Sequence, residues 1–162
     1  MVRKWYTISP AMEFRGFYCN GQLNALSQYN HLCYYPTVHL HAKAIGAAIK
    51  AFFDKNVKDV LAKKFTQYVI DFALIGDKDD NGAFTFDRVM IIELNPFLFS
   101  TDAALYSWGK ERPLLENGPF EMRVLEKEIT AVKTKLSVDW RDILEQETKK
   151  LLKPEAKKTT LH

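Results

Sequence analysis

The sequence is poor in cysteine and contains no long hydrophobic segment. Its two cysteines, Cys19 and Cys33, show no CxxC or Cys/His spacing, which argues against a zinc site. We expect both thiols to be reduced and structural, because a free cysteine commonly behaves as a small buried hydrophobe. No apolar run reaches the roughly 18 to 20 residues that span a bilayer, and the first residues lack the apolar core of a signal peptide. These absences predict a cytoplasmic protein without a membrane segment.

The excess of one sign of charge is small as well, because 23 basic and 20 acidic residues give a formal net charge of only +3. The basic excess lies in lysines near the C-terminal end, so the charge gives no direct indication of nucleic-acid binding. The phosphate-binding loops GxxxxGK[ST] and GxGxxG are both absent, and a nucleotide would therefore not be bound by either. The hydrophobic content of 47% is typical of a globular domain.

A β-hairpin is the strongest local prediction. Two apolar and aromatic runs flank Asn20-Gly21, the dipeptide that favours a type I′ turn because both central residues need positive φ. Side chains alternate along a strand, so Arg15 shares one face with Phe17, and Tyr18 lies on the other. Arg15 is therefore predicted to be held inside a sheet.

Further elements follow beyond Pro36. Apolar residues recur there at helical spacing and predict one amphipathic helix, or two helices broken near residues 54–56. The run from Gln67 to Ile75 and the run from Arg88 to Phe97 are strand-like and separated by a polar turn, which predicts a second hairpin.

In the last third of the chain, the residue pattern predicts a short helix around residues 102–108, a strand over residues 120–125 and a final helix over residues 138–153. Residues 154–162 are predicted to form a flexible tail. The predicted fold class is α+β, with an antiparallel β-sheet built of hairpins and helices packed on one face. We expect a single domain over residues 1–153.

Three oxygen-bearing side chains lie inside apolar strands: Asp71, Glu93 and Asn95. Glu93 and Asn95 are two residues apart and share a face, and pairing of the two strands would bring Asp71 beside them. Two neighbouring carboxylates repel each other unless a cation neutralises them. That cation could be Mg²⁺, which prefers hard oxygen ligands, or Arg15 in a buried salt bridge. The spacing leaves both alternatives open.

Two other patterns are interpreted as structural. The stretch from Asp77 to Gly82 looks like the start of a calcium-binding loop, but Arg88 stands where a bidentate glutamate is needed. His39 and His41 are two residues apart and would diverge on a helix, so we expect surface histidines and no shared metal.

Three stretches resemble a known family in order and spacing: "KWYTISPAMEFRGFYCNGQLNALSQYN", "YVIDFAL" and "IIELNPFLFSTDAALYSW". They are similar to the C-terminal lobe of the cell division cycle protein 123 (D123) family, a clade of the ATP-grasp superfamily. The resemblance covers Arg3 to Trp108. The chain departs from the family pattern at Glu93, Leu94 and Tyr29, so it looks like a divergent member.

The resemblance implies ATP and Mg²⁺ as cofactors. It implies that Asp71, Glu93 and Asn95 are the metal ligands, and that Arg15 is a catalytic and nucleotide-binding residue facing the phosphates. A hinge over residues 3–6 is implied to contact adenine, with three residues as cofactor-binding candidates: Arg3, Lys4 and Trp5. Asp102 and Trp108 are implied to shape the cleft.

Two functions are compatible with this resemblance. The first is the ATP- and Mg²⁺-binding lobe of an ATP-dependent carboxylate–amine ligase, which would need the lysine-bearing lobe that precedes this one in ATP-grasp proteins. The alternative is a non-enzymatic assembly chaperone or protein-binding module whose partner is a subunit of translation initiation factor 2. A third hypothesis, independent of the resemblance, is that Asp71, Glu93 and Arg15 form a purely structural salt-bridge cluster.

Overall fold

The computed structural model describes residues 6–76, residue 85 and residues 88–129. Residues 1–128 form one compact unit, and residues 129–162 form a second unit of which only Ile129 is described. The predicted final helix, the tail and the extent of the domain over residues 1–153 therefore stay predictions. The polar turn from Asp77 to Gly82 also lies outside the described residues.

The described elements combine a five-stranded sheet with three α-helices, which confirms the α+β class. In chain order they are a 3-10 turn Pro10–Met12, β1 Glu13–Cys19, β2 Gln22–Gln28, α1 Pro36–Asn56, α2 Lys58–Ala62, β3 Gln67–Ile75, β4 Arg88–Asn95, α3 Trp108–Asn117 and β5 Glu121–Arg123. The strand order across the sheet is β4-β3-β1-β2-β5. None of the described helices combines the length and the hydropathy needed to cross a membrane.

Both predicted hairpins are present. Asn20 and Gly21 connect β1 to β2 with φ values of 52° and 84°, as a turn with two positive-φ residues requires. β3 pairs antiparallel with β4, and β1 lies between β2 and β3. Arg15 therefore lies inside the sheet, as predicted, and its strand is the central one.

The sheet is not wholly antiparallel, which corrects the prediction. β5 pairs parallel to β2, with Met122 opposite Leu26. The chain reaches this edge only after α3 has packed across β1 and β2. It therefore returns through a crossover and not through a hairpin, and a crossover permits parallel pairing.

The helices cover both faces of the sheet, so the prediction that they pack on one face is wrong. On one face, Phe14 and Tyr18 of β1 pack against the buried side of α1, including Ile45 and Phe53. On the other face, Phe17 packs in a separate apolar cluster with side chains of α3 and of the loop before it. The physical reason is that β1 is apolar at both alternating sets of positions, so each face needs its own cover.

The helix predicted around residues 102–108 begins later, at Trp108. Ser107 is its N-cap: the Ser107 hydroxyl accepts a hydrogen bond from the Lys110 amide, and the Ser107 amide donates to the Glu111 carboxylate. Ala104, with φ of 53°, is in the left-handed region that interrupts a helix. The first predicted helix also breaks, at Val57 between α1 and α2, close to the predicted point.

Candidate functional site

The centre of the site is a buried ion pair between neighbouring strands. Arg15 of β1 and Asp71 of β3 are register partners. The Arg15 Nε donates to Asp71 Oδ1 and the Arg15 Nη2 donates to Asp71 Oδ2, both at 2.8 Å. Both side chains are buried. These two hydrogen bonds fix the orientation of both the guanidinium and the carboxylate. The pair is the salt bridge that the sequence left open as one of two alternatives.

The other two predicted metal ligands lie beside this pair. Glu93 of β4 is the register partner of Asp71, next to an irregularity in the pairing of β3 with β4. The Asn95 amide Nδ2 donates to Asp71 Oδ2 at 3.1 Å and to Glu93 Oε1 at 3.0 Å. The structure thus brings Asp71, Glu93 and Asn95 together on the face that carries Arg15.

The charges in this cluster do not balance, because two carboxylates meet one guanidinium. Burial raises the pKa of Asp71 above its usual value; Arg15 lowers it, and the neighbouring Glu93 raises it further. Burial would lower the pKa of Arg15, but its hydrogen bonds to Asp71 and the charge of that carboxylate raise it overall. The cluster therefore retains negative charge that a further cation would neutralise.

The donor set suits a hard cation with an incomplete protein shell. Two carboxylates and one amide are oxygen ligands of the kind that Mg²⁺ takes, with water and phosphate oxygens completing the shell. Glu93 is exposed, so the site can be reached from solvent. Over the described residues, no three His, Cys, Asp or Glu side chains converge as a metal-binding group. Metal binding by this cluster stays a prediction.

Two contacts to Arg15 come from loops. The Arg15 Nη1 donates to the main-chain oxygen of Asp102 at 2.8 Å, and the ring of Tyr29 lies 4.7 Å from the guanidinium carbon. Asp102 was expected to shape the cleft, and its backbone does contact the ion pair. Tyr29 was not identified from the sequence as a site residue, because nothing in its local spacing points to a contact with β1.

Trp108 lies in the second apolar cluster and not at the ion pair. Its indole nitrogen donates to the Thr101 main-chain oxygen at 2.6 Å, and its ring packs edge-on against Phe17 and Phe97. It supports the sheet face that carries Arg15. Both cysteines are free thiols, as predicted. Cys19 is buried, but Cys33 is exposed, so the expected role as a buried structural residue is wrong for Cys33.

Comparison with known proteins supports one family assignment. The family model described as D123 matches residues 1–153 of this chain. The chain belongs to the D123 family.

Relatives of this D123 chain carry two kinds of name. Cell division cycle protein 123 of Candida glabrata is 30% identical over 112 residues, which cover 68% of this chain and 28% of the relative. The Translation initiation factor eIF2 assembly protein of Dictyostelium discoideum is 30% identical over 115 residues, which cover 71% of this chain and 27% of the relative. The chain spans between 24% and 33% of the length of the curated relatives it matches.

The fold is shared with a solved D123-family structure. C-terminally truncated Cdc123 from Schizosaccharomyces pombe superposes with a TM-score of 0.59 at 23% sequence identity, covering 76% of this chain and 43% of that one. The D123 fold is thereby supported independently of the sequence comparison.

The predicted adenine-contacting segment of this D123 chain cannot be placed at the site, because Arg3, Lys4 and Trp5 lie outside the described residues. Tyr6, the last residue of the predicted hinge, is described, and its hydroxyl accepts a hydrogen bond from Arg88 of β4 at 3.2 Å. The adenine contact stays a prediction.

Proposed function

We propose that this chain is the ATP- and Mg²⁺-binding lobe of a D123-family protein of the ATP-grasp type. The observation that carries the proposal is the convergence of Asp71, Glu93 and Asn95 beside Arg15, on one face of a sheet. A salt bridge alone would need only Arg15 and Asp71. The exposed Glu93 carboxylate supplies oxygen ligands that the ion pair does not use. The Asn95 amide, whose Nδ2 here donates to both carboxylates, would supply its oxygen after a flip of the amide group.

Each residue has a defined role in this proposal. Asp71, Glu93 and Asn95 would hold Mg²⁺, which when bound would neutralise charge on the nucleotide phosphates. Arg15 donates three of its five N–H groups in hydrogen bonds, two to Asp71 and one to Asp102. The other two N–H groups are those from which a phosphate oxygen would accept. Asp71 and Asp102 fix the orientation of the guanidinium before any ligand arrives, which reduces the entropic cost of binding.

The metal site can be tested with Mn²⁺ in place of Mg²⁺, because paramagnetic broadening of amide NMR signals reports position. In the full chain with ATP present, we expect Mn²⁺ to broaden first the signals of Asp71, Glu93 and Asn95. The double variant Asp71→Asn, Glu93→Gln should lose this effect, and the exposed Glu126→Gln variant should keep it. Broadening that is centred elsewhere, or unchanged in the double variant, would falsify the proposed site.

We further propose that the protein acts in the assembly of translation initiation factor eIF2. The names of the relatives favour this role over an ATP-dependent ligase. A chimera tests it: the matching 112 residues of the Candida glabrata relative are replaced by those of this chain, in yeast cells depleted of their own protein.

The chimera should restore co-purification of the eIF2 subunits, and the chimera carrying Asp71→Asn with Glu93→Gln should not. Thermal melting of the purified chimera shows whether it folds. A chimera that folds and leaves eIF2 unassembled would contradict the assembly role while leaving the metal site to its own test.

A further inference from the structure

A second feature of the site face is a cavity of about 330 Å³ next to Arg15. We name it the Glu13 cavity. It is lined by Pro10, Glu13, Arg15, Tyr29, Asn30, His31, Leu32 and Asp102. The proposed metal ligands do not account for it, because Asp71, Glu93 and Asn95 are not among its lining residues.

The walls of the Glu13 cavity are held in place by hydrogen bonds. The Gln28 side-chain amide donates to the main-chain oxygens of Asn30 and Cys33, each at 2.6 Å, and the Tyr29 amide donates to the Glu13 main-chain oxygen at 3.0 Å. On the opposite side, Asp102 Oδ1 accepts from the Ala104 amide at 3.0 Å. The cavity is therefore formed in advance of any ligand.

The charge of the cavity is negative. The guanidinium of Arg15 is already neutralised by Asp71 through two hydrogen bonds. The carboxylates of Glu13 and Asp102 remain, and Asp102 Oδ2 lies 3.7 Å from His31 Nδ1, beyond hydrogen-bond distance. The lining thus carries two carboxylates that the Arg15–Asp71 pair does not neutralise, and a complementary ligand brings positive charge.

The shape and the apolar part of the lining define the ligand further. Tyr29, Leu32 and Pro10 offer apolar surface beside the carboxylates. A bare metal ion would make no use of that surface. A basic side chain combines a cationic head with a methylene stem that packs on such surface.

We infer that the Glu13 cavity binds the basic side chain of a protein partner, with the cationic head between Glu13 and Asp102. That the ligand is an organic cation follows from the cavity alone. That this cation belongs to a protein rests on the proposed assembly function. The basic side chain would lie next to Arg15, so partner binding and nucleotide binding would meet at one residue.

The cation preference is tested on the full chain by amide NMR titration with n-butylammonium, which is the head and stem of a lysine side chain. We expect saturable shifts of the Tyr29, His31 and Asp102 signals, and no such shifts with the neutral analogue 1-butanol. Glu13→Gln and Asp102→Asn should each weaken binding roughly threefold, as for loss of one partly exposed ion pair. Glu126→Gln serves as the matched control. Equal shifts with 1-butanol, or unchanged binding in both variants, would overturn the inference.

The protein source is tested in the chimera with Glu13→Gln alone, because Asp102 also contacts Arg15. Capture of eIF2 should weaken, while Mn²⁺ in the presence of ATP still broadens the Asp71 and Glu93 signals. If n-butylammonium binds but eIF2 capture is unaffected by Glu13→Gln, the partner assignment is wrong. Loss of Mn²⁺ broadening with retained n-butylammonium binding would contradict the proposed function and leave this inference standing.

Discussion

Arg15 and Asp71 face each other across two central strands, and their pairing is the dominant electrostatic contact of the site. Removing two charges from water is costly, and the attraction between them offsets that cost only when the geometry is good. Here the pair makes two hydrogen bonds of 2.8 Å. A buried pair of this kind is weak evidence of net stabilisation, but loss of one partner leaves an uncompensated charge.

Arg15→Met is expected to lower the free energy of unfolding by about 3–5 kcal/mol, because Asp71 would stay buried without its partner. The double variant Arg15→Met, Asp71→Leu should recover most of this loss, since no charge is left buried. Urea unfolding of the full chain measures both values.

Lys50→Met is the matched control for this pair, because Lys50 forms an exposed pair with Asp54 on α1. Its expected cost is only about 0.3–0.5 kcal/mol. If the single Arg15 variant were no less stable than this control, the ion pair would not be a structural requirement of the sheet.

A site residue could be predicted from the sequence only where its contacts follow from the pairing of neighbouring strands. Asp71, Glu93 and Asn95 could be identified because two-residue alternation and hairpin pairing are enough to bring them together. Tyr29 could not be identified in this way. Its position over Arg15 depends on the course of the loop after β2, which is set by hydrogen bonds to Asn30 and Cys33.

At the scale of elements, the β1–β2 hairpin depends on the backbone of its turn. Gly21 has φ of 84° and no atom within 4 Å of an added Cβ. Any cost of Gly21→Ala must therefore come from the left-handed backbone, and we expect a loss of about 1 kcal/mol in the free energy of unfolding.

Gly109 provides the control for Gly21. It lies in the first turn of α3 and also has open space around an added Cβ, but its φ is not positive. Gly109→Ala is expected to stabilise the protein by about 0.4–1 kcal/mol, because alanine reduces the freedom of the unfolded chain. Thermal and urea unfolding of the two variants should give opposite signs, and a stabilising Gly21→Ala would contradict the assigned turn.

Elements with a strong local signal were predicted close to their observed limits. β3 begins and ends where its apolar run does, at Gln67 and Ile75. The helix expected over residues 102–108 was misplaced because its start depends on the Ser107 cap and on the left-handed Ala104. That conformation is supported by the hydrogen bond from the Ala104 amide to Asp102, which propensity alone does not indicate.

For the whole molecule, the apolar content of β1 decides the architecture. Phe14 and Tyr18 require cover on one face, and Phe17 and Cys19 require it on the other. α1 and α3 provide this cover on opposite sides, and the faces bury two separate apolar clusters. The burial of the Arg15–Asp71 ion pair results from this arrangement, because cover on both faces of the sheet excludes water from the pair.

The sequence by itself determined the two hairpins, the α+β class and the grouping of Asp71, Glu93 and Asn95. These features follow from alternation, turn chemistry and nearest-strand pairing, which act over short stretches of chain. Only the tertiary structure decided the parallel pairing of β5, the placement of α3 and the contacts of Tyr29 and Asp102 with Arg15. Those depend on segments far apart in sequence that meet only after both faces of the sheet are packed, so no local pattern encodes them.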